Sequence, residues 1–123
     1  MAVPRMSKDE LKQRLDAAGP SAPLIVDVRL KYPFEHSSLT LPGALRLAPN
    51  ALDLSRLPLD RDIVLYDSDP EELVSSSLAR ELQKSGYRVA VLAGGIAGWV
   101  LAKYPTDSKP APHPAAIGGS LKG

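Results

Sequence analysis

An acidic stretch directly after a short apolar segment is the part of this sequence best suited to chemistry. The run Ile63–Tyr66 is typical of a buried strand, and Asp67 follows it at once. In open α/β folds, ligands and reacting groups gather just beyond the carboxyl end of such a strand, where loop N–H groups and a helix N-terminus converge. The sequence therefore predicts an active-site-like loop at this point. Its residues are Asp67, Ser68, Asp69, Pro70, Glu71 and Glu72.

The acidic residues of this loop have a structural interpretation and a chemical one. Asp69 followed by Pro70 and Glu72 is the pattern of a helix start, with Asp69 as N-cap and Glu72 at position N3. Asp67 precedes the cap, and its carboxylate is expected to fill an anion site made by loop N–H groups. The alternative is Mg²⁺-assisted phosphoryl transfer resembling that of haloacid-dehalogenase phosphatases, with Asp67 as nucleophile and Asp69 as acid and as a helper of the Mg²⁺ site. That chemistry also needs a positioned lysine and a further acidic pair, which no motif identifies.

Other chemistries find little support in the residue types present. The chain contains no cysteine, which excludes disulfides, thiolate metal sites and thiol catalysis. His36 and His113 are its two histidines, and His113 lies in the tail, so a histidine metal site or a Ser-His-Asp triad is not indicated. The serines at 75–77 are expected at exposed helix positions. The sequence predicts neither a metal site nor a cofactor.

The composition is that of one ordinary globular domain. The 123 residues are 44% apolar, and a net charge of +1 gives no reason to expect nucleic acid or an acidic membrane surface as partner. No apolar run approaches the roughly 18 residues that span a bilayer, and the start lacks the apolar core of a signal peptide. A cytoplasmic location is expected, with an unidentified protein or a small anion as partner.

Alternating strands and helices predict an α/β fold, with a central, mostly parallel sheet and helices on both faces. The first helix begins with a capping box from Ser7 to Glu10, and a later helix, which follows the acidic loop, ends at Gly86. The near-continuous apolar run 24–29 is typical of a strand buried on both faces. Trp99, on the last predicted helix, is expected in the core.

The predicted domain extends from residue 7 to residue 105. Residues 1–6 precede the first helix and are expected to be flexible. From residue 106 the composition shifts to Pro, Ala, Gly, Ser and Lys without apolar periodicity, which predicts a disordered tail over residues 106–123.

Several segments, in order along the chain, resemble signatures of the rhodanese (sulfurtransferase) family. They are Leu24-Ile25-Val26-Asp27-Val28-Arg29, Leu41-Pro42-Gly43-Ala44, Ile63-Val64-Leu65-Tyr66 and Val91-Leu92-Ala93-Gly94-Gly95-Ile96-Ala97-Gly98-Trp99. Each signature alone is weak, but together they cover about residues 7–105. The resemblance implies a rhodanese-like fold whose active-site loop is the segment 67–72.

The resemblance is closest to a subtype whose loop reads Cys-Thr-Cys-Pro-Asn-Glu, often found attached to DedA-type membrane proteins. In this chain Asp67 and Asp69 stand at the two cysteine positions, whereas Pro70 and Glu72 match. In the family the catalytic cysteine, at the position of Asp67, carries the transferred sulfur as a persulfide held by loop N–H groups, and a carboxylate cannot form a persulfide. The resemblance therefore implies a domain that is inactive as a sulfurtransferase and serves as a binding or regulatory module.

The resemblance also suggests roles for residues outside the loop. Asp27 and Arg29 match family positions that support the fold and border the active-site loop, so structural roles are expected for both. With Arg29, the basic residues Lys31 and Arg46 are candidates for flanking the pocket.

Overall fold

A five-stranded parallel sheet organises the computed structural model, which describes residues 3–17, 19, 22–68 and 72–109. Its strands are β1 (Arg5–Met6), β2 (Leu24–Asp27), β4 (Leu45–Arg46), β5 (Ile63–Tyr66) and β6 (Val89–Leu92). They lie in the order β1-β6-β5-β2-β4, and every neighbouring pair is parallel. A separate antiparallel pair joins β3 (Leu39–Thr40) to β7 (Asp107–Ser108). The helices are α1 (Lys8–Ala17), α2 (Lys31–His36), α3 (Leu73–Lys84) and α4 (Gly95–Leu101), with a 3₁₀ turn at Leu54–Arg56.

Helices cover both faces of the sheet, which confirms the predicted α/β class. Successive strand residues point to opposite faces, so Leu65 and Val64 belong to different apolar clusters. The cluster with Leu65 receives Leu82 of α3, whereas the cluster with Val64 receives Leu11 of α1 and Trp99 of α4. The core position predicted for Trp99 is confirmed, since its side chain is fully buried.

The start of the chain is more ordered than expected. Residues 1–6 were expected to be flexible, yet Arg5 and Met6 form the edge strand β1 beside Val91 and Leu92. The main-chain oxygen of Met6 accepts a hydrogen bond from Ala93 N–H at 2.9 Å, and the Met6 side chain is buried. A strand of two residues has no periodicity of its own, so its existence depends on a partner strand far along the chain.

The expectation of a disordered tail from residue 106 onward is wrong for residues 107–109. Asp107 and Ser108 form β7, and Lys109 N–H donates to the main-chain oxygen of Ser38 at 2.8 Å. The Asp107 carboxylate also accepts a hydrogen bond from Gly43 N–H at 2.9 Å. These contacts are polar and exposed, so an apolar pattern could not reveal them. Residues 110–123, which make up the rest of the predicted tail, lie outside the described residues.

The predicted helix ends are confirmed where local capping chemistry sets them. The side chain of Ser7 accepts a hydrogen bond from Glu10 N–H at 3.0 Å, as a capping box requires. Gly86 adopts a positive φ of 94° just beyond α3, which favours glycine at a helix end. Within the described ranges, no helix is long and apolar enough to cross a membrane.

Candidate functional site

Asp67 lies at the carboxyl end of β5 and is 1% exposed. Its carboxylate oxygen Oδ2 accepts a hydrogen bond from Ser75 N–H, in the first turn of α3, at 2.8 Å. Its main-chain oxygen accepts one from Ile96 N–H, in the first turn of α4, at 3.1 Å. The carboxylate thus faces the positive end of α3, where the first N–H groups of a helix lack partners within the helix.

Helix α3 begins later than the capping pattern indicated. Asp69, Pro70 and Glu71, which were expected to form its cap and first turn, lie outside the described residues. Glu72, expected at position N3, is instead the N-cap residue, with a left-handed φ of 60° and no side-chain capping hydrogen bond. The capping acceptor for the third helical residue, Ser75, is the side chain of Asp67. The carboxylate that complements the helix therefore comes from the end of β5.

The Glu72 carboxylate joins three separate parts of the chain. Arg5 of β1 donates to it from Nε at 2.8 Å and from Nη2 at 2.6 Å, and Gly94 N–H donates at 2.9 Å. The hydrogen bond from Arg5 is the main reason why the pKa of Glu72 is lowered, whereas burial opposes the shift. Because these partners hold its side chain, Glu72 cannot cap its own helix. This explains why the prediction of a capping box ending at Glu72 is wrong.

Gly95, the first residue of α4, allows the start of this helix to approach the Asp67 backbone. A Cβ atom at this position would lie 2.4 Å from the main-chain oxygen of Asp67, well inside van der Waals contact. The φ of Gly95 is also positive, at 59°. Both observations require glycine, so the glycine pair that looked like a simple turn in the sequence also sets the distance between this turn and Asp67.

A buried ion pair supports the strand end from the neighbouring β2. The carboxylate of Asp27 accepts hydrogen bonds from Arg29 Nε and Nη2, the latter at 2.7 Å, and from Tyr66 Oη at 3.0 Å. Asp27 and Arg29 are each 1% exposed. Burial, followed by the charge of Asp27, raises the pKa of Tyr66, which keeps its hydroxyl protonated. The contacts agree with structural roles for Asp27 and Arg29, since they anchor the residue immediately before Asp67.

The structure also places the other basic and hydroxyl residues that the sequence analysis named. Arg46 donates from Nη1 to the main-chain oxygen of Arg29 at 2.6 Å, and Lys31 is exposed at the start of α2. Ser75 is fully buried, so the expectation of an exposed serine is wrong at this position, although Ser77 is exposed. Ser75 is buried because it lies in the first turn of α3, where its N–H faces the Asp67 carboxylate.

The sequence did not predict the roles of two residues that contribute to the site. Arg5 falls in a segment that appeared structureless, and nothing nearby in the sequence indicates that it pairs with Glu72. Gly95 was recognised only as part of a turn, although two consecutive glycines before a helix could have indicated a close backbone approach.

The chemistry open to this arrangement is limited. In the part of the chain that the structure describes, no group of three or more His, Cys, Asp or Glu side chains could hold a metal ion. A carboxylate that is 1% exposed and bonded to a helix N–H is poorly placed to attack a substrate. The geometry suits an internal acceptor that neutralises the positive end of α3.

Comparison with known proteins gives three consistent results. Residues 7–102 match the family model of the rhodanese-like domain. A tRNA sulfurtransferase from Desulfurococcus amylolyticus is 36% identical over 78 residues; the match covers 63% of this chain but only 15% of that much longer relative. Two solved structures share the fold. A protein from Bacillus halodurans has a TM-score of 0.74 at 20% identity, covering 85% of this chain and 76% of its own. The rhodanese-like domain of an Anabaena protein has a TM-score of 0.69 at 24% identity, covering 95% and 87%.

Proposed function

The chain belongs to the rhodanese-like domain family, and we propose that it is a member that does not transfer sulfur and serves as a binding or regulatory module. The chain contains no cysteine, so it has no thiol on which a persulfide could form. In this proposal Asp67 occupies the catalytic cysteine position, and the segment 67–72 is the counterpart of the active-site loop. The match of Pro70 and Glu72 further relates it to the subtype found attached to DedA-type membrane proteins.

The observation that carries the proposal is the hydrogen bond between the buried Asp67 carboxylate and Ser75 N–H. A persulfide-bearing residue must present its sulfur to an acceptor, whereas Asp67 is 1% exposed and directed at its own helix. We infer that the carboxylate fills the place of the anion that a catalytic loop would hold. The family relative named as a tRNA sulfurtransferase does not change this inference, because the match covers 15% of its length and excludes most of that enzyme.

The same burial argues against the alternative of Mg²⁺-assisted phosphoryl transfer. An aspartate nucleophile must reach a phosphorus atom in line with its leaving group. The Asp67 carboxylate is instead enclosed, and its Oδ2 atom already accepts the Ser75 hydrogen bond.

Turnover assays on the purified chain test the proposal. We expect no thiocyanate from thiosulfate and cyanide, and no phosphate release from p-nitrophenyl phosphate with Mg²⁺. An active rhodanese and an active phosphatase serve as positive controls. Either product above the buffer blank, lost in Asp67→Ala, would overturn the proposal.

A binding measurement tests the idea that Asp67 fills an anion position. Asp67→Ala removes the carboxylate and leaves the Ser75 N–H without its acceptor, so the variant should bind sulfate weakly at the start of α3. Amide chemical-shift mapping of the ¹⁵N-labelled wild type and variant measures this. Equal sulfate-induced shifts at Ser75 in both proteins would contradict the idea.

A further inference from the structure

Two surface grooves share Pro49 as a lining residue. The first, of about 340 Å³, is lined by Leu30, Lys31, Arg46, Ala48, Pro49 and Asn50. The second, of about 350 Å³, is lined by Pro49, Leu73, Val74, Ser77 and Leu78. The first groove is formed by residues at or just after the carboxyl ends of β2 and β4, and the second mainly by the first half of α3, the helix after β5. Both grooves therefore lie at the edge of the sheet that carries Asp67.

The second groove is lined by apolar side chains of α3 that other described residues cover only in part. Val74, Leu78 and Leu82 form an apolar stripe on α3; Leu82 is buried, while Val74 and Leu78 pack against the core and keep part of their surface exposed. The first two stripe residues are half-buried and line the groove. Leu73 beside them is 62% exposed. Leu73 and the exposed parts of Val74 and Leu78 therefore provide apolar surface in this groove.

The first groove combines apolar surface with positive charge. Leu30 is 53% exposed, and the two charged side chains lining this groove, Lys31 and Arg46, are both basic. Burial lowers the pKa of Arg46, and the charges of Asp27 and Glu35 offset that effect in part. The Asp27 carboxylate lies 3.6 Å from Arg46 but is already bonded to Arg29.

Two contacts fix the position of the Arg46 guanidinium. It lies 4.0 Å from the centre of the Phe34 ring and donates to the main-chain oxygen of Arg29. An arginine fixed in this way loses little side-chain entropy when it binds a carboxylate. Among the described residues, no carboxylate forms an ion pair with Lys31.

We propose that the joined grooves bind an extended segment of a partner protein, with an acidic side chain against Lys31 and Arg46 and apolar side chains along Leu30, Pro49 and α3. The inference rests on the proposed function, because it assigns the binding surface and the partner chemistry of that module. The positive charge of the first groove and the apolar character of the second specify a segment that is both acidic and apolar.

Titration of the ¹⁵N-labelled full chain with matched capped hexapeptides tests this. The probes are Leu-Asp-Leu-Asp-Leu-Ala and the same peptide with Asn, or with Lys, in place of Asp. The acidic probe should shift the amides of Lys31, Asn50 and Leu73, and it should bind at least about fivefold more tightly than the neutral probe. The basic probe should bind most weakly.

Four variants locate the binding surface. Leu73→Ser and Lys31→Glu change exposed side chains in the two grooves, and each should weaken the acidic probe about fivefold or more. Leu101→Ser and Lys84→Glu are matched controls at exposed positions outside the grooves, and they should change the affinity less than about twofold.

Several results would overturn the inference. They are equal affinity for the acidic and neutral probes, no shift at the groove amides, the same shifts produced by raising the protein concentration alone, and the same shifts produced by sulfate alone. The last two would assign the surface to a second copy or to a small anion. If the peptides do not bind the grooves and the turnover assays stay negative, only the inferred binding surface is overturned. Release of thiocyanate or phosphate would overturn the proposed function, whatever the peptide titrations show.

Discussion

Replacing Glu72 with glutamine removes one negative charge from the contact that joins the start of α3 to β1 and to the turn before α4. The carboxylate receives two hydrogen bonds from Arg5 and one from Gly94 N–H, while glutamine of the same length can keep a single acceptor oxygen. The Glu72→Gln variant therefore tests the charge with little change in side-chain volume.

The expected loss follows from the exposure of each partner. A hydrogen bond to a charged, buried group contributes about 1.5–3 kcal/mol, and the Gly94 bond belongs at the lower end because glutamine retains part of it. The Arg5 side chain is 60% exposed, so solvent screens its ion pair, which contributes less than the buried hydrogen bond does. Together these contributions give a loss of about 1.5–2.5 kcal/mol in the free energy of unfolding at neutral pH for Glu72→Gln.

Urea unfolding followed by the fluorescence of the buried Trp99 measures this loss. At a typical slope, the midpoint should fall by about 1 M urea. Glu81→Gln is the matched control, because its 3.7 Å contact with Lys84 is exposed and should change stability by less than about 0.5 kcal/mol. Equal midpoints for Glu72→Gln and Glu81→Gln would refute the reasoning.

The pH dependence gives an independent check. The folded pKa of Glu72 is lowered, so its contribution is complete above the unfolded pKa and is lost as the pH falls through the folded value. The difference in stability between the wild type and Glu72→Gln should therefore narrow as the pH falls through this window. A gap that is independent of pH would show that the amide replacement acts through packing and that the lost charge has no effect.

The remaining predictions concern the backbone near Asp67 and the end of the chain. In thermal unfolding, Gly95→Ala should destabilise the protein by more than about 2 kcal/mol, because the new Cβ would meet the Asp67 backbone at a positive φ. Gly98→Ala, where a Cβ would have open space within the helix, should be neutral or slightly stabilising. A chain ending at Pro105 should be about 1 kcal/mol less stable in urea than one ending at Lys109, since β7 and its hydrogen bonds are lost. Equal midpoints would show that these contacts do not contribute to stability. Asp67→Asn should lose about 1 kcal/mol, measured in the same way, because a neutral acceptor replaces the charged one facing Ser75. An unchanged midpoint would show that the negative charge of Asp67 contributes nothing to this capping bond.

Much of the fold could be predicted because its signals are local. The strands β2, β5 and β6 are apolar runs, and their alternation onto two faces follows from the strand geometry. The start of α1 is encoded by a serine and a glutamate three residues apart. The edge strands β1 and β7 could not be found in this way, since each has two residues and exists only through pairing with a distant segment.

The candidate site was predicted in position but not in its internal contacts. The location of Asp67 beyond β5 followed from the strand pattern, whereas the helix start was placed too early because Glu72 was assigned to its own helix. Its partners lie 67 and 22 residues away in sequence, at Arg5 and Gly94. Local capping rules describe only residues within one helical turn, so they could not anticipate this competition.

The sequence by itself determines that no thiol is available and that an aspartate follows the central strand. These are properties of the residue types, and no packing arrangement can change them. The tertiary structure decides that the Asp67 carboxylate accepts from Ser75, that Glu72 binds Arg5, and that the two grooves share Pro49 as a lining residue. Each of these depends on the order of the strands and the approach of two helices, which bring together groups that have no relation to each other along the chain.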